Sequence, residues 1–153
     1  LRDNLLLDGA AHDDDELLEA LQAVGLGRFV RRHPQGLDMP IQGSGSVSGG
    51  QRQAIGLARL LLQDPRIVLL DEPTAAFDQA NEQRVVEFLR GWLAGRTLVL
   101  STHKTTLLSL TERAVVLHDG GLVLDGPTAR VVSGNRVKVP SRSAVRQGAA
   151  SNA

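Results

Sequence analysis

The chain has 153 residues, with 17 Lys and Arg balancing 17 Asp and Glu, and is long enough for one compact domain with its own core. The neutral balance gives no global field toward nucleic acid or an anionic membrane surface, and the absence of cysteine excludes a disulfide framework and fits a reducing compartment. No apolar run approaches the roughly 20 residues that span a bilayer, and Leu1-Arg2-Asp3-Asn4 is neither an initiator methionine nor a signal peptide, so the sequence reads as an internal piece of something longer.

Asp13, Asp14 and Asp15 offer N-caps and dipole-favourable charge for a helix through about Val24. Leu17, Leu18, Leu21 and Val24 give it an apolar stripe, and Gly25 and Gly27 end it. A second short helix around residues 28–32 stops before Pro34. Residues 34–46 read as a glycine- and serine-rich connector. Ser48 and Gln51 then fit a capping box at the start of a helix running to about Gln63. Ala54, Ala58 and Leu61, with Ile55 and Leu62 alongside, form its apolar face. A helix N-terminus carrying Gly49 and Gly50 exposes unpaired N–H groups that can accept an anion closely. As a bare pattern, Ser48 is a helix cap.

Ile67 to Leu70 run without alternation, as in a central parallel strand buried on both faces. Asp71 and Glu72 stand at its C-terminal edge, where open α/β sheets place their ligands, and Pro73 ends it. Neighbouring carboxylates there can divide the work, one holding a hydrated metal ion and the other facing a water as proton acceptor. Asp-Glu-Pro alone favours the plainer reading, a strand entering an acidic turn. Asp78 is a good N-cap for a helix whose stripe of Val85, Val86, Leu89, Trp92 and Leu93 is core, closed by Gly95. Thr97–Ser101 is the next buried strand, at the spacing of a βαβ unit, and His103 sits just beyond it. A lone histidine after a strand is more often structural than catalytic, and His12, His33 and His118 read as surface residues. Residues 114–117 and 122–124 flank His118-Asp119-Gly120-Gly121, a hairpin signal. From about Ser133 the chain is polar and small, and 137–153 reads as a disordered tail.

The order of glycine pair, helix, apolar strand, Asp-Glu, and a later Ser-Thr-His resembles the second half of an ATP-binding cassette (ABC) ATPase domain. Val47-Ser48-Gly49-Gly50-Gln51 looks like that family's signature sequence, Ile67 to Glu72 like its Walker B strand, and His103 like its switch histidine. Val47 stands where the family usually has leucine. The resemblance covers roughly residues 1–132. It implies an α/β fold, a partial P-loop NTPase-like parallel sheet with flanking helices plus an N-terminal helical subdomain. Residues 1–47 would be that subdomain, 48–132 the C-terminal part of the ATPase core, and 133–153 a tail.

The resemblance also implies roles. Ser48, Gly49, Gly50 and Gln51 would contact the γ-phosphate of ATP held by an opposite subunit, and Asp78, the D-loop aspartate, would lie across the dimer interface at the same ATP site. Asp71 would bind Mg²⁺ through water, Glu72 would polarise the attacking water, and His103 would stabilise the γ-phosphate. The implied partners are a second nucleotide-binding domain and the transmembrane domains of one transporter, at the cytoplasmic face of the bacterial inner membrane, with no nucleic acid. The sequence has no Gly-x-x-x-x-Gly-Lys-Ser/Thr phosphate loop, so the chain alone is expected to bind ATP very weakly and to hydrolyse none measurably. The resemblance also implies that several strands of the sheet are missing from it, so part of its core face is expected to be exposed and sticky. Ser101-Thr102-His103-Lys104, Leu107-Leu108-Ser109-Leu110 and Trp92-Leu93-Ala94-Gly95-Arg96-Thr97 resemble type I secretion exporters of proteins or peptides. A drug or lipid half-transporter is the close alternative. A soluble ABC ATPase and a catalytically dead docking module are the readings from other classes, and the intact Glu72 and His103 weigh against the last.

Overall fold

The structure is a computed structural model that describes residues 1–6, 11–41 and 45–133. The expected tail beyond Ser133 lies outside the described residues. The chain divides into two compact units, Leu1–Thr106 and Leu107–Ala153.

The first unit begins with α1 (Arg2–Leu5), α2 (Asp14–Ala23) and α3 (Gly27–Arg32). The acids at the start of α2 cap it as the sequence predicts. Asp13 Oδ1 accepts from the Glu16 amide at 2.9 Å, and Glu16 Oε2 accepts from the Asp13 amide at 3.1 Å. This reciprocal pair satisfies two orphan donors of the first turn. Leu17, Ala20, Leu21 and Val24 are buried, whereas Leu18 lies at the margin of the stripe and is half-buried. The connector that follows contains one turn of 3-10 helix, Gly36–Asp38, with Leu37 buried.

Helix α4 (Gly49–Gln63) is the longest of the described helices, and α1 and α2 both pack on it. Its buried residues are Ala54, Ile55, Leu57 and Ala58. Leu61 and Leu62, expected on that face, are only half-buried near the helix end.

Strand β1 (Ile67–Asp71), helix α5 (Gln79–Trp92) and strand β2 (Thr97–Ser101) form the predicted βαβ unit. The strands pair in parallel from Ile67↔Thr97 to Asp71↔Ser101. Burial on both faces is not what they show. Val68 is fully buried, but Ile67 is 65% exposed, Leu69 74% and Val99 56%. Side chains alternate across a strand, so one face of the pair meets the core and the other stands open. A parallel strand is covered twice only where elements lie on both faces of its sheet, and this sheet has two strands among the described residues. Val85, Val86, Leu89 and Leu93 of the α5 stripe are buried, while Trp92 is half-buried with the Arg96 guanidinium 4.3 Å from its ring centroid.

Among the described residues, the second unit holds one turn of 3-10 helix (Leu107–Leu110), the predicted hairpin and a short helix. Strand β3 (Arg113–His118) pairs antiparallel with β4 (Gly121–Pro127), with a register shift between Val116 and Leu117. Asp119 and Gly120 both take positive φ, 48° and 69°, as a two-residue primed turn requires. Arg113 grips Asp125 through two bonds of 2.7 and 2.6 Å. Helix α6 (Thr128–Val132) follows. No helix among the described residues is long and apolar enough to cross a membrane.

Candidate functional site

The β1–β2 ladder runs one bond past the strands, with the Glu72 amide donating to the Ser101 carbonyl at 2.9 Å. Glu72 then takes φ +43°, a left-handed conformation that costs a residue with a Cβ about 1–2 kcal/mol. The surroundings hold it there. The Glu72 carbonyl accepts from Gln53 Nε2 at 3.0 Å and from the Ala75 amide at 3.2 Å. Its carboxylate accepts from the His103 amide at 2.9 Å, stands 2.8 Å from His103 Nδ1, and accepts from Thr102 Oγ1 at 3.3 Å. Backbone strain kept in place by several outside bonds is characteristic of working sites.

Partial burial raises the Glu72 carboxyl, but the His103 ring and amide and the Thr102 hydroxyl together hold it below the ordinary carboxylate value. The group is therefore ionised near neutral pH and only accepts. It follows that Nδ1 of His103 carries the proton it shares with Glu72, which leaves Nε2 for a ligand. The His103 side chain is 76% exposed and that of Glu72 33%, so both can be reached from solvent. Asp71 is exposed and shares the open strand face with Leu69.

The second group of predicted residues gathers at the start of α4. The Gln51 amide donates to Ser48 Oγ at 3.2 Å, and the Ser48 amide donates to Gln51 Oε1 at 2.8 Å. Asp78 caps α5, accepting from the Asn81 amide at 2.8 Å. A cavity of about 400 Å³ is lined by Ser48, Gly50, Gln51, Ala76, Phe77 and Asp78 among others. Glu72 and His103 are thus joined directly, and Ser48, Gly50, Gln51 and Asp78 line one cavity, without Gly49. Asp71, next to Glu72 at the strand end, lines a second cavity with Gln53 and Pro73.

Gln53 links the two groups. Its Oε1 accepts from the Ala76 amide at 2.8 Å while its Nε2 holds the Glu72 carbonyl. The approach of α4 to this turn is close, for a Cβ on Gly50 would stand 2.7 Å from the Ala76 carbonyl oxygen.

The family model for ABC transporters matches residues 1–75. An ABC-type transmembrane transporter, verA, of Clonostachys rogersoniana is 37% identical over 134 residues, covering 84% of this chain and 10% of that protein. An ATP-dependent lipid A-core flippase of Neisseria meningitidis serogroup A is 38% identical over 121 residues, covering 78% of this chain and 20% of the flippase. The fold matches the structure of a bacterial Atm1-family ABC exporter with ATP bound, at a TM-score of 0.79 and 25% identity over 96% of this chain and 26% of that one.

The chain belongs to the ABC transporter family. It spans about one tenth to one fifth of the length of the two relatives. The ABC match takes in the Val47–Gln51 and Ile67–Glu72 stretches, and the two relatives extend the likeness beyond residue 75.

Sequence reasoning missed three contributors to this candidate site. Gln53 reads as one more polar residue on a helix, and nothing local shows that it reaches the strand end. Glu82 and Lys104 are the others. Glu82 carried a signal, because it precedes Val85, Val86 and Leu89 at helical spacing and so falls on the apolar stripe. An acid at such a position needs a partner. It has three: Thr74 Oγ1 at 3.0 Å, Thr106 Oγ1 at 2.6 Å, and the Lys104 ammonium.

Proposed function

We propose that residues 1–132 are the C-terminal part of the ATP-hydrolysing domain of an ABC exporter, residues 1–47 being its helical subdomain and 48–132 part of the ATPase core. The observation that carries this reading is Glu72, fixed at a left-handed backbone position with its carboxylate against His103. Phosphoryl transfer needs positioning and charge stabilisation more than covalent chemistry, and this pair supplies both. Glu72, ionised and fixed, orients and polarises a water for attack. A carboxylate held below its usual pKa is a weak base, so it aligns the water and draws charge from it rather than storing its proton. His103, with Nδ1 engaged by Glu72, offers Nε2 to the γ-phosphate oxygens as charge builds there. The Ser48 hydroxyl and the Gly49 and Gly50 amides at the capped N-terminus of α4 would receive the phosphate of a nucleotide held by a second nucleotide-binding domain, with Gln51, whose amide is engaged by Ser48, and Asp78 beside them.

The residues fit a magnesium ion held jointly with nucleotide. Asp71 offers one exposed carboxylate, and no group of three or more His, Cys, Asp or Glu among the described residues could hold a metal alone. Mg²⁺ is commonly held by one or two carboxylates together with waters and substrate phosphates. When bound, the ion supplies charge neutralisation on the phosphates. Asp71 would hold it through water.

The exporter reading places the domain on the cytoplasmic face of a bacterial inner membrane, joined to transmembrane domains and paired with a second copy. Likeness around Trp92–Thr97 and Ser101–Lys104 favours type I secretion of a protein or peptide. The Neisseria relative, a lipid A-core flippase, favours lipid cargo as the second reading. ATPase assays of the complete transporter in lipid nanodiscs separate these, through stimulation by peptide or by lipopolysaccharide precursor.

The test of the hydrolytic site is Glu72→Gln in the complete transporter. Turnover should fall by at least about 10²-fold while ATP binding persists, and normal turnover in that variant would sink the assignment.

A further inference from the structure

Among the described residues, Glu82 is the charged residue in the buried set. Its side chain is 10% exposed, and a carboxylate so placed is costly unless paired and hydrogen-bonded. Oε2 accepts from Thr74 Oγ1 at 3.0 Å and from the Lys104 ammonium, and Oε1 accepts from Thr106 Oγ1 at 2.6 Å. Thr74 is itself fully buried, and its carbonyl accepts from Lys104 Nζ at 2.6 Å. Burial raises the Glu82 carboxyl, but Lys104, Thr106 and Thr74 outweigh it and keep the group below its ordinary value.

The partners of Glu82 come from two segments that the hydrolytic site uses. Thr74 opens the turn between Glu72 and Asp78. Lys104 follows His103 directly, and its amide donates to Thr102 Oγ1 at 3.0 Å. The His103 loop is therefore held on both sides, through Thr102 to Glu72 and through Lys104 to Glu82. His103 is 76% exposed, so its own burial does little to fix it.

We propose that Glu82 and Lys104 are positioning residues, whose ion pair at the base of α5 clamps the His103 loop to the Thr74 turn and keeps His103 on Glu72. Neither touches the reacting atoms. Both act through His103, and the inference rests on the hydrolytic reading given above.

The experiment measures steady-state hydrolysis by the complete transporter, with kcat taken per titrated nucleotide site so that misfolded protein does not count. Glu82→Gln and Lys104→Met should each lower kcat about ten- to a hundredfold, the scale of a misplaced catalytic group. KM for ATP should stay within about twofold, because ground-state binding is not disturbed. Lys104→Arg, which keeps the cation, should recover most of the rate. The double variant should be no slower than the slower single, and Lys104→Met should cost nothing further in a His103→Ala background, as expected of residues that act as one unit.

Parental kcat per site in both single variants would overturn the inference, as would multiplying losses in the double variant. Fewer titrated sites at unchanged kcat would also overturn it and leave the pair a purely structural one. If Glu82→Gln fails to fold, Lys104→Met against Lys104→Arg decides alone. Glu72→Gln is run in parallel to keep the two readings apart. Normal turnover there defeats the hydrolytic assignment, whereas an inactive Glu72→Gln beside parental Glu82→Gln and Lys104→Met defeats this inference only.

Discussion

Gly50 faces Ala76 so closely that an added Cβ would stand 2.7 Å from the Ala76 carbonyl oxygen, whereas one on Gly49 would sit 3.6 Å from the Ala76 Cβ. The first distance forces backbone to move and the second is ordinary contact. Gly50→Ala should therefore destabilise the chain by about 1–3 kcal/mol, as overpacking does, and Gly49→Ala should change stability by less than about 0.5 kcal/mol. Urea unfolding of the two variants checks this. If Gly49→Ala is stable yet the complete transporter carrying it fails to turn over ATP, the loss belongs to the approach of an anion and not to packing.

Ser48 caps α4 through Gln51, and the two roles given to it can be separated. Ser48→Ala should lose about 1 kcal/mol, the usual worth of a cap. Ser48→Asp should keep that stability, because aspartate caps as well as serine. It would add a negative charge where the proposed function seats a phosphate, so turnover of the complete transporter should fall with the fold intact. Unchanged turnover in Ser48→Asp would leave Ser48 a cap alone.

Gln53 is the side chain that holds both the Glu72 carbonyl and the Ala76 amide. Gln53→Leu removes both bonds and should cost about 1–3 kcal/mol, since the partly buried carbonyl loses a partner. Gln53→Glu keeps the acceptor for Ala76 but sets a carboxylate against the Glu72 carbonyl. Both variants should lose kcat more than ATP affinity, and unchanged kcat in both would show that Ser101 and Ala75 suffice to hold Glu72.

The Glu82 carboxyl lies below its ordinary value of 4.5 in the folded chain. A depressed folded value means that the folded state favours the ionised form. The stabilisation is therefore fully present above the unfolded value and is lost as pH falls through the still lower folded value. Thermal unfolding followed from pH 7 down to pH 3 should show a steeper loss of Tm in the parent than in Glu82→Gln. Equal slopes would contradict the ion pair.

The face of the β1–β2 pair bearing Ile67, Leu69 and Val99 is open, with Leu69 74% exposed. Produced alone, residues 1–153 should bind a hydrophobic dye and associate through that face, and their affinity for ATP should be weaker than micromolar. Leu69→Ser should reduce dye binding while changing stability by less than about 0.5 kcal/mol, since the side chain has little burial to lose. Micromolar ATP binding by the isolated chain would contradict the expectation that residues 1–153 alone bind ATP very weakly.

Much of the architecture was legible because it is local. The caps at Asp13, Ser48 and Asp78, the stripe on α5 and the turn at Asp119-Gly120 each follow from residues within a few positions of one another. The parallel pairing of β1 with β2 follows from the βαβ spacing of the two apolar runs. The acids after β1 by themselves favoured an acidic turn, and their expected roles came from the order of glycine pair, helix, apolar strand, Asp-Glu and Ser-Thr-His, which carries the family resemblance.

Tertiary structure decided what depends on residues far apart in the chain. An incomplete sheet was expected to leave some core face open, but Ile67 and Leu69 look as buried as Val68 in sequence, and it is alternation in the folded strand that turns these two to the face that nothing among the described residues covers. Glu82 on an apolar stripe announced that it needed a partner without saying which. The fold brings in Lys104, 22 residues on, because the β2 end and the start of α5 converge there. Gln53 reaches Glu72 across 19 residues for a similar reason, the approach of α4 to the strand-end turn. Hydrogen-bond periodicity along the chain fixes helices, strands and caps. Which polar side chain meets which is fixed only when packed elements bring distant segments together, and the candidate site is built from such meetings.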